Sequence, residues 1–225
     1  MRPVRRSGLR DEVYQTIGEM LIENRLPPGS PLRVEALSEM LDVSPTPVRE
    51  ALVQLETTGL VDYVANKGYS VAPLPSAEDM RLIMDARLVL ELAAAERAAE
   101  REDRRFAAEL GELIDGQRAA GARIVGDGSD ADRAAIREYL RLDHAFHDTI
   151  FREAGNPYLA RLARSMDAQS QRARQSFLHG VDDASDAATE HEQIRKAIVD
   201  GDAPAAVSAS RAHLERVLAK ALSQF

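Results

Sequence analysis

The sequence predicts a mostly α-helical protein, in which three helices and a β-hairpin precede an antiparallel helical bundle. Two observations lead to this prediction. Apolar residues recur at helical spacing through most of the chain, whereas two short β-type runs separated by a turn occur within residues 60–72. After Ala72, long periodic segments alternate with short connections that contain Gly, Pro or Asp, which is typical of a bundle.

The composition limits the kinds of site that the chain can hold. It has 225 residues, no Cys and a net charge of −8. The absence of Cys excludes disulfides, thiolate metal ligands and cysteine nucleophiles. No apolar run is long enough for a membrane helix, so we expect a cytoplasmic protein with no membrane partner. Because the chain is acidic, any nucleic-acid binding must depend on a local basic patch, for which the candidates are Arg2, Arg5, Arg6, Arg10, Arg33, Arg49 and Lys67.

The first third of the chain predicts three helices joined by short connections. Residues 9–24 carry an apolar stripe, and the run PPGSP that follows cannot continue a helix. Residues 34–41 form a second, short helix. A third helix begins after Ser44, a favourable N-cap residue whose side-chain oxygen can accept from first-turn N–H groups. Pro45 and Pro47 fall in its first turn, where the N–H groups have no partner within the helix.

The third helix has two different faces. Its apolar residues follow the i, i+3, i+4, i+7 pattern of one docking stripe, formed by Val48, Ala51, Leu52 and Leu55. Gly59 ends the helix, and two strands over residues 60–64 and 69–72 follow, joined by a turn over 65–68. Taken without its neighbours, the pattern of the third helix would also fit an ordinary surface helix. The whole order is that of a winged helix-turn-helix, which presents its third helix to a DNA groove.

Three runs carry a family resemblance over about residues 8–75. PPGSPL, LSEMLDVSPTPVREALVQLETTGLV and NKGYSVAPL resemble the DNA-binding domain of GntR-type bacterial transcription regulators. The resemblance implies a double-stranded DNA operator as partner, contacted by the start of the second helix, the third helix and the wing. In this chain those positions are Arg33, Thr46, Arg49, Lys67 and Gly68. The family usually has an arginine directly after the serine that begins the third helix, where this chain has Pro45.

The remaining two thirds predict an all-helical domain. We expect residues 1–75 to form the winged helix-turn-helix domain and residues 76–225 to form an effector-binding and dimerisation domain. The predicted helices span residues 76–102, 103–120, 130–154, 158–178, 184–199 and 203–223. Because their connections are short, neighbouring helices should be antiparallel.

The third bundle helix has polar residues where a core is expected. A spacing of four, three, four and three residues puts one narrow stripe on Ile136, Leu140, Asp143, His147 and Ile150. A buried carboxylate needs a partner, since burying a charge alone is costly. The fifth and sixth bundle helices also place His191 and His213 inward.

One Asp and three His supply the oxygen and nitrogen donors that suit Zn²⁺, Ni²⁺, Mn²⁺ or Fe²⁺. The alternative is that Asp143 and His147 form an i,i+4 pair, while the other histidines are core residues with satisfied hydrogen bonds.

The bundle also resembles a known domain. LDHAFHDTIFREAGNPYL resembles the signature of the effector domain called FCD, found in the FadR-like branch of GntR regulators, and HEQIRKAI and RAHL match its later histidine segments. In metal-binding members the ligands are this Asp and these His, which implies Asp143, His147, His191 and His213. The resemblance further implies that a divalent metal ion holds a small carboxylate effector.

A second effector ligand is suggested by MDARLVLE, which resembles the start of the FCD domain. Arg87 in this segment could bind a carboxylate through two hydrogen bonds. Its alternative is an i,i+4 ion pair with Glu91.

Together these patterns predict a transcription regulator whose operator affinity is controlled by a small organic acid. We expect a homodimer, because two winged domains can read two half-sites. A metal-dependent hydrolase, a regulator that senses the metal itself and a purely structural metal are the alternatives. We do not expect an enzyme, since no Glu or His is clearly placed as a general base and a winged helix has no role in such an enzyme.

Overall fold

The computed structural model of the protein describes residues 6–101, 105–164, 166, 168, 184–223 and 225. These residues are mostly α-helical, which confirms the predicted fold class. The chain divides into two compact units. One unit is Met1–Ser76 with Arg164–Ser176, and the other is Ala77–Ala163 with Phe177–Phe225.

Residues 6–76 of the first unit form three helices and a three-stranded sheet. The elements are α1 (Arg6–Ile22), β1 (Pro31–Leu32), α2 (Val34–Leu41), α3 (Pro45–Glu56), β2 (Val61–Val64) and β3 (Gly68–Val71). The β3 strand lies in the middle and pairs antiparallel with both β1 and β2. The β2–β3 hairpin is the predicted wing, and Asn66 and Gly68 in its turn adopt positive φ angles. The sequence did not predict β1, because its two residues are a strand only through pairing with Ser70 and Tyr69.

An apolar core joins these elements. The α1 helix packs against α3. The predicted stripe of α3 is buried and belongs to one apolar cluster with Val13, Ile17, Leu21, Leu37, Val61 and Val71. Thr46, Arg49 and Val53 are exposed on the other side of the helix. The α3 helix therefore docks by one face and presents the other to solvent.

The start of α3 differs from the expected cap. Ser44 is the N-cap residue with extended backbone, but within the described part of the chain its side chain makes no capping hydrogen bond. An N-cap side chain accepts from the N–H of the second or third helical residue. Here the third residue is Pro47, which has no N–H. The two prolines preset the helical φ angle and set the start of the helix instead.

The second unit is a helical bundle. Its helices are α4 (Ala77–Ala99), α5 (Phe106–Gly121), α6 (Asp130–Glu153), α7 (157–164, at the unit boundary), α8 (Ala184–Asp200) and α9 (Ala203–Leu222). The α4 helix packs on α9 and α6, α5 packs on α6 and α8, and α8 packs on α9. The helix predicted over residues 158–178 includes residues 165, 167 and 169–178, and these lie outside the described residues.

The loop between α5 and α6 is held by one buried carboxylate. Asp132 accepts hydrogen bonds from the backbone N–H groups of Val125, Gly126 and Gly128 at 2.8, 3.0 and 3.3 Å. The N–H groups of Gly126 and Val125 lower the pKa of Asp132, and the opposing effect of burial does not cancel them. These hydrogen bonds fix the loop against the first turn of α6 and so help to set where that helix starts. The position of α6 matters because the helix carries two of the predicted metal ligands.

No helix among the described residues has both the length and the apolar character needed to cross a membrane.

Candidate metal centre and nucleic-acid interface

Three histidines from three helices meet inside the bundle. His147 of α6, His191 of α8 and His213 of α9 each offer a ring nitrogen, and these nitrogens lie within 4.8 Å of one another. The three residues are only 8%, 0% and 2% exposed. Nitrogen ligands about 2.1 Å from one zinc ion are roughly 3–4 Å apart, so the cluster fits one ion with little rearrangement.

Asp143 lies beside this cluster. Its Oδ1 atom is 3.9 Å from the Nε2 atom of His191. The same Oδ1 atom accepts a hydrogen bond of 3.0 Å from the Nε2 atom of Gln117. Asp143 is buried one helical turn before His147. The structure therefore brings the three predicted histidine ligands together and places Asp143 beside one of them, His191.

An acceptor oxygen holds the Nδ1 atom of each histidine. The pairs are His147 with Glu91, His191 with Gln117 and His213 with Glu190, each at 2.8 Å. Carboxylate oxygens and the amide oxygen of Gln117 can only accept, so each Nδ1 atom carries a proton. In the neutral ring the Nε2 atom then keeps its lone pair. Metal-binding histidines are commonly oriented by such an outer acceptor.

The Nε2 atom of His147 is an orphaned polar atom of the cluster. It is buried and, among the residues that the structure describes, has no hydrogen-bond partner. A buried polar atom in that state calls for an explanation, and an ion is one of them. A small cavity adjoins this side chain, with about 10 Å³ open to the centre of a water molecule and Ser210, Ile150 and Phe151 in its wall. The donor set and the orphaned nitrogen therefore fit a divalent metal ion.

Glu91 joins this cluster to Arg87. The Nη2 atom of Arg87 lies 2.6 Å from the Oε1 atom of Glu91, and both side chains are buried. Burial alone would raise the pKa of Glu91, but the charge of Arg87 and the hydrogen bonds from His147 and Arg87 lower it well below its usual range. The ion pair is the alternative considered for Arg87, and the structure shows it. A role for Arg87 in effector binding stays a prediction.

Two groups that support the histidines were missed from the sequence. Gln117 of α5 and Glu190 of α8 hold His191 and His213. Gln117 follows Phe106, Leu110 and Ile114 on the buried face of α5, so its position on an apolar stripe was a usable signal. Glu190 had no comparable signal, since its contacts with His213 and Arg216 depend on how α8 and α9 pack.

The residues predicted to contact DNA lie on the surface of the first unit. Arg33 is the N-cap residue of α2, and Thr46 is in the first turn of α3; both are exposed. Lys67 is exposed in the wing turn, next to the half-buried Gly68, which begins β3. Of the other candidate basic residues, Arg2 and Arg5 lie outside the described residues.

Arg49 is exposed on α3 and lies close to an acid of α2. Its Nη2 atom is 3.6 Å from the Oε1 atom of Glu35. Both side chains are more than half exposed, so solvent weakens this pair. The guanidinium group therefore remains accessible to a phosphate or a base edge.

Comparison with known proteins identifies both parts of the chain. Residues 82–216 match the model of the FCD domain, and residues 9–71 match the model described as bacterial regulatory proteins, gntR family. An uncharacterized HTH-type transcriptional regulator in unstable DNA locus of Streptomyces ambofaciens is 29% identical, over 92% of this chain and 83% of its own. The HTH-type transcriptional regulator LutR of Bacillus subtilis is also 29% identical, over 88% of this chain and 94% of its own.

A solved structure, that of E. coli McbR/YncC, has a similar fold. Its TM-score is 0.80 at 20% identity, with coverage of 96% of this chain and 98% of that chain. A likeness at this identity concerns the fold alone. The matches of both family models and the two relatives lead to one conclusion: the chain belongs to the gntR family of bacterial regulatory proteins, carries an FCD domain, and is a DNA-binding transcription regulator rather than an enzyme.

Proposed function

We propose that this regulator responds to a small carboxylate effector through a divalent metal ion held by Asp143, His147, His191 and His213. The buried histidine cluster, in which an acceptor holds every Nδ1 atom, supports this proposal. The oxygen and nitrogen donors suit Zn²⁺, Ni²⁺, Mn²⁺ or Fe²⁺. When bound, such an ion supplies positions at which the oxygens of a carboxylate can bind.

Arg87 lies near the proposed metal site and is a candidate for binding an anion there. Arg87 is buried and pairs with Glu91, whose other carboxylate oxygen contacts the Nδ1 atom of His147. An arginine can bind a carboxylate through two parallel hydrogen bonds. An effector carboxylate would therefore compete with Glu91 for the guanidinium group, which gives Arg87 its proposed role in effector binding.

The two domains have different proposed functions. We assign residues 1–75 to operator binding through Arg33, Thr46, Arg49, Lys67 and Gly68, and residues 76–225 to effector binding and dimerisation. Two copies would present two α3 helices to the half-sites of a two-fold operator. Because its target is operator DNA, the protein would act in the cytoplasm.

The first test measures metal content and operator binding together. The purified protein is assayed for metals and co-purified acids, and operator fragments are selected from random-sequence DNA. We expect one divalent ion per chain, and an acid that changes operator affinity only in the metal-loaded protein. A response to Zn²⁺ titrated without any acid would instead favour a regulator that senses the metal.

Single substitutions assign the ligands. His213→Ala should abolish both metal binding and the effector response, whereas His144→Ala should change neither. His144 is a matched control because it lies next to Asp143 on α6, outside the histidine cluster. Metal content that stays unchanged in His213→Ala would show that the assigned site is wrong.

A further inference from the structure

Gln117 contacts two of the proposed metal ligands at once. Its Nε2 atom donates to Oδ1 of Asp143 at 3.0 Å, and its Oε1 atom lies 2.8 Å from Nδ1 of His191. The side chain is 1% exposed. It comes from α5, a helix that carries none of the four proposed ligands. One amide thus connects a carboxylate of α6 to an imidazole of α8.

The chemistry of the three groups sets the direction of both hydrogen bonds. The carboxylate of Asp143 can only accept, so the amide nitrogen of Gln117 must face it. The amide oxygen must then face His191, and it also can only accept. The Nδ1 atom of His191 therefore carries the proton, and its Nε2 atom keeps the lone pair. A flipped amide would set two acceptor oxygens against each other.

We propose that Gln117 is a positioning residue of the metal centre, which fixes the tautomer of His191 and orients Asp143; this inference rests on the proposed metal site. Carboxylates hold the other two histidines, so His191 is the histidine of the cluster that Gln117 orients. Phe146 stacks on His191 with ring centroids 4.1 Å apart and limits the tilt of its ring. Phe146 therefore sets the plane of the imidazole, and Gln117 sets which nitrogen carries the proton.

An amide suits this place better than a carboxylate. Glutamate has the same length and could still accept from His191, but it would bring a second negative charge against Asp143. Leucine and methionine fill similar space and offer neither bond. Gln117→Leu and Gln117→Met therefore remove both contacts, whereas Gln117→Glu keeps the contact with His191.

The test reads the tautomers and the metal affinity separately. Histidine tautomers are measured by ¹⁵N NMR in the metal-free protein at a pH where the rings are neutral. Zn²⁺ affinity is measured by competition with a chelator. In Gln117→Leu we expect His191 to lose its Nδ1–H preference and Zn²⁺ to bind about 10- to 100-fold more weakly. In Gln117→Glu the His191 tautomer should be retained.

Two internal controls separate positioning from general damage. The Nδ1–H signals of His147 and His213 should stay unchanged, because Glu91 and Glu190 hold those rings. Gln193→Leu makes the same chemical change at an exposed position of α8 and should leave every readout unchanged. Gln117→Met is the second variant if Gln117→Leu folds poorly.

The proposal is overturned if the folded Gln117→Leu or Gln117→Met variant keeps both the His191 tautomer and wild-type Zn²⁺ affinity. Failure of the proposed function looks different. A wild-type protein that does not bind Zn²⁺, Ni²⁺, Mn²⁺ or Fe²⁺ would contradict the metal site, while the tautomer of His191 would still report what Gln117 does.

Discussion

The Oε2 atom of Glu91 lies 2.8 Å from the Nδ1 atom of His147, while the Oε1 atom of the same carboxylate lies 2.6 Å from Arg87. One side chain of α4 thus joins an ion pair within its own helix to a proposed metal ligand of α6. Loss of its charge should therefore affect both stability and metal binding.

Glu91→Gln should destabilise the metal-free protein by about 3–5 kcal/mol, since Arg87 loses a buried counter-charge. Chemical denaturation measures the change. Asp200→Asn is the matched control, because it removes an exposed i,i+4 pair with Lys196, which solvent screens, and should cost far less. Equal effects of the two substitutions would show that the buried pair contributes no more than a surface pair.

The two faces of α3 should respond differently to truncation. Leu52 is 0% exposed and Val53 is 53% exposed. Leu52→Ala should cost about 2–5 kcal/mol because it leaves a cavity in the core of the first unit. Val53→Ala should change stability by less than about 0.5 kcal/mol. Thermal unfolding of both variants checks the assignment, and a similar loss in each would mean that α3 does not dock as described.

Pro45 stands where the family usually has an arginine, at the exposed first position of α3. Pro45→Arg should tighten operator binding and steepen the salt dependence of the binding constant by about one phosphate contact. Pro45→Ala, which adds no charge, should do neither. Fluorescence anisotropy at several salt concentrations measures both effects. Unchanged salt dependence in Pro45→Arg would mean that this position does not reach the DNA backbone.

Asp132 should make the protein sensitive to acid. Its pKa is lowered in the folded state by the N–H groups of Gly126 and Val125. The unfolded chain then binds more protons at low pH, so this stabilisation is present above the usual pKa of about 3.9 and is lost as the pH falls below it. Asp132→Asn should therefore lower the melting temperature at pH 7. The difference from wild type should shrink below about pH 4, and a difference independent of pH would contradict this origin.

Much of the first unit could be predicted from local patterns. The bounds of α2 agree with the prediction at both ends, and the wing turn was found from its Asn and Gly. Hydrophobic periodicity and turn residues are local signals, which explains this success. Ser44 is the N-cap residue as predicted, but its side chain makes no capping hydrogen bond, and Pro47 offers no N–H at the third helical position.

The sequence by itself determined which residue types face the interior of the bundle, because a spacing of three and four residues puts Asp143 and His147 on one stripe. The four-residue spacing of Arg87 and Glu91 likewise predicted their ion pair. Only the tertiary structure decided which acceptor holds each histidine. Glu91, Gln117 and Glu190 reach their partners across helix contacts. No periodicity along a single helix encodes those contacts, since they depend on how neighbouring helices pack.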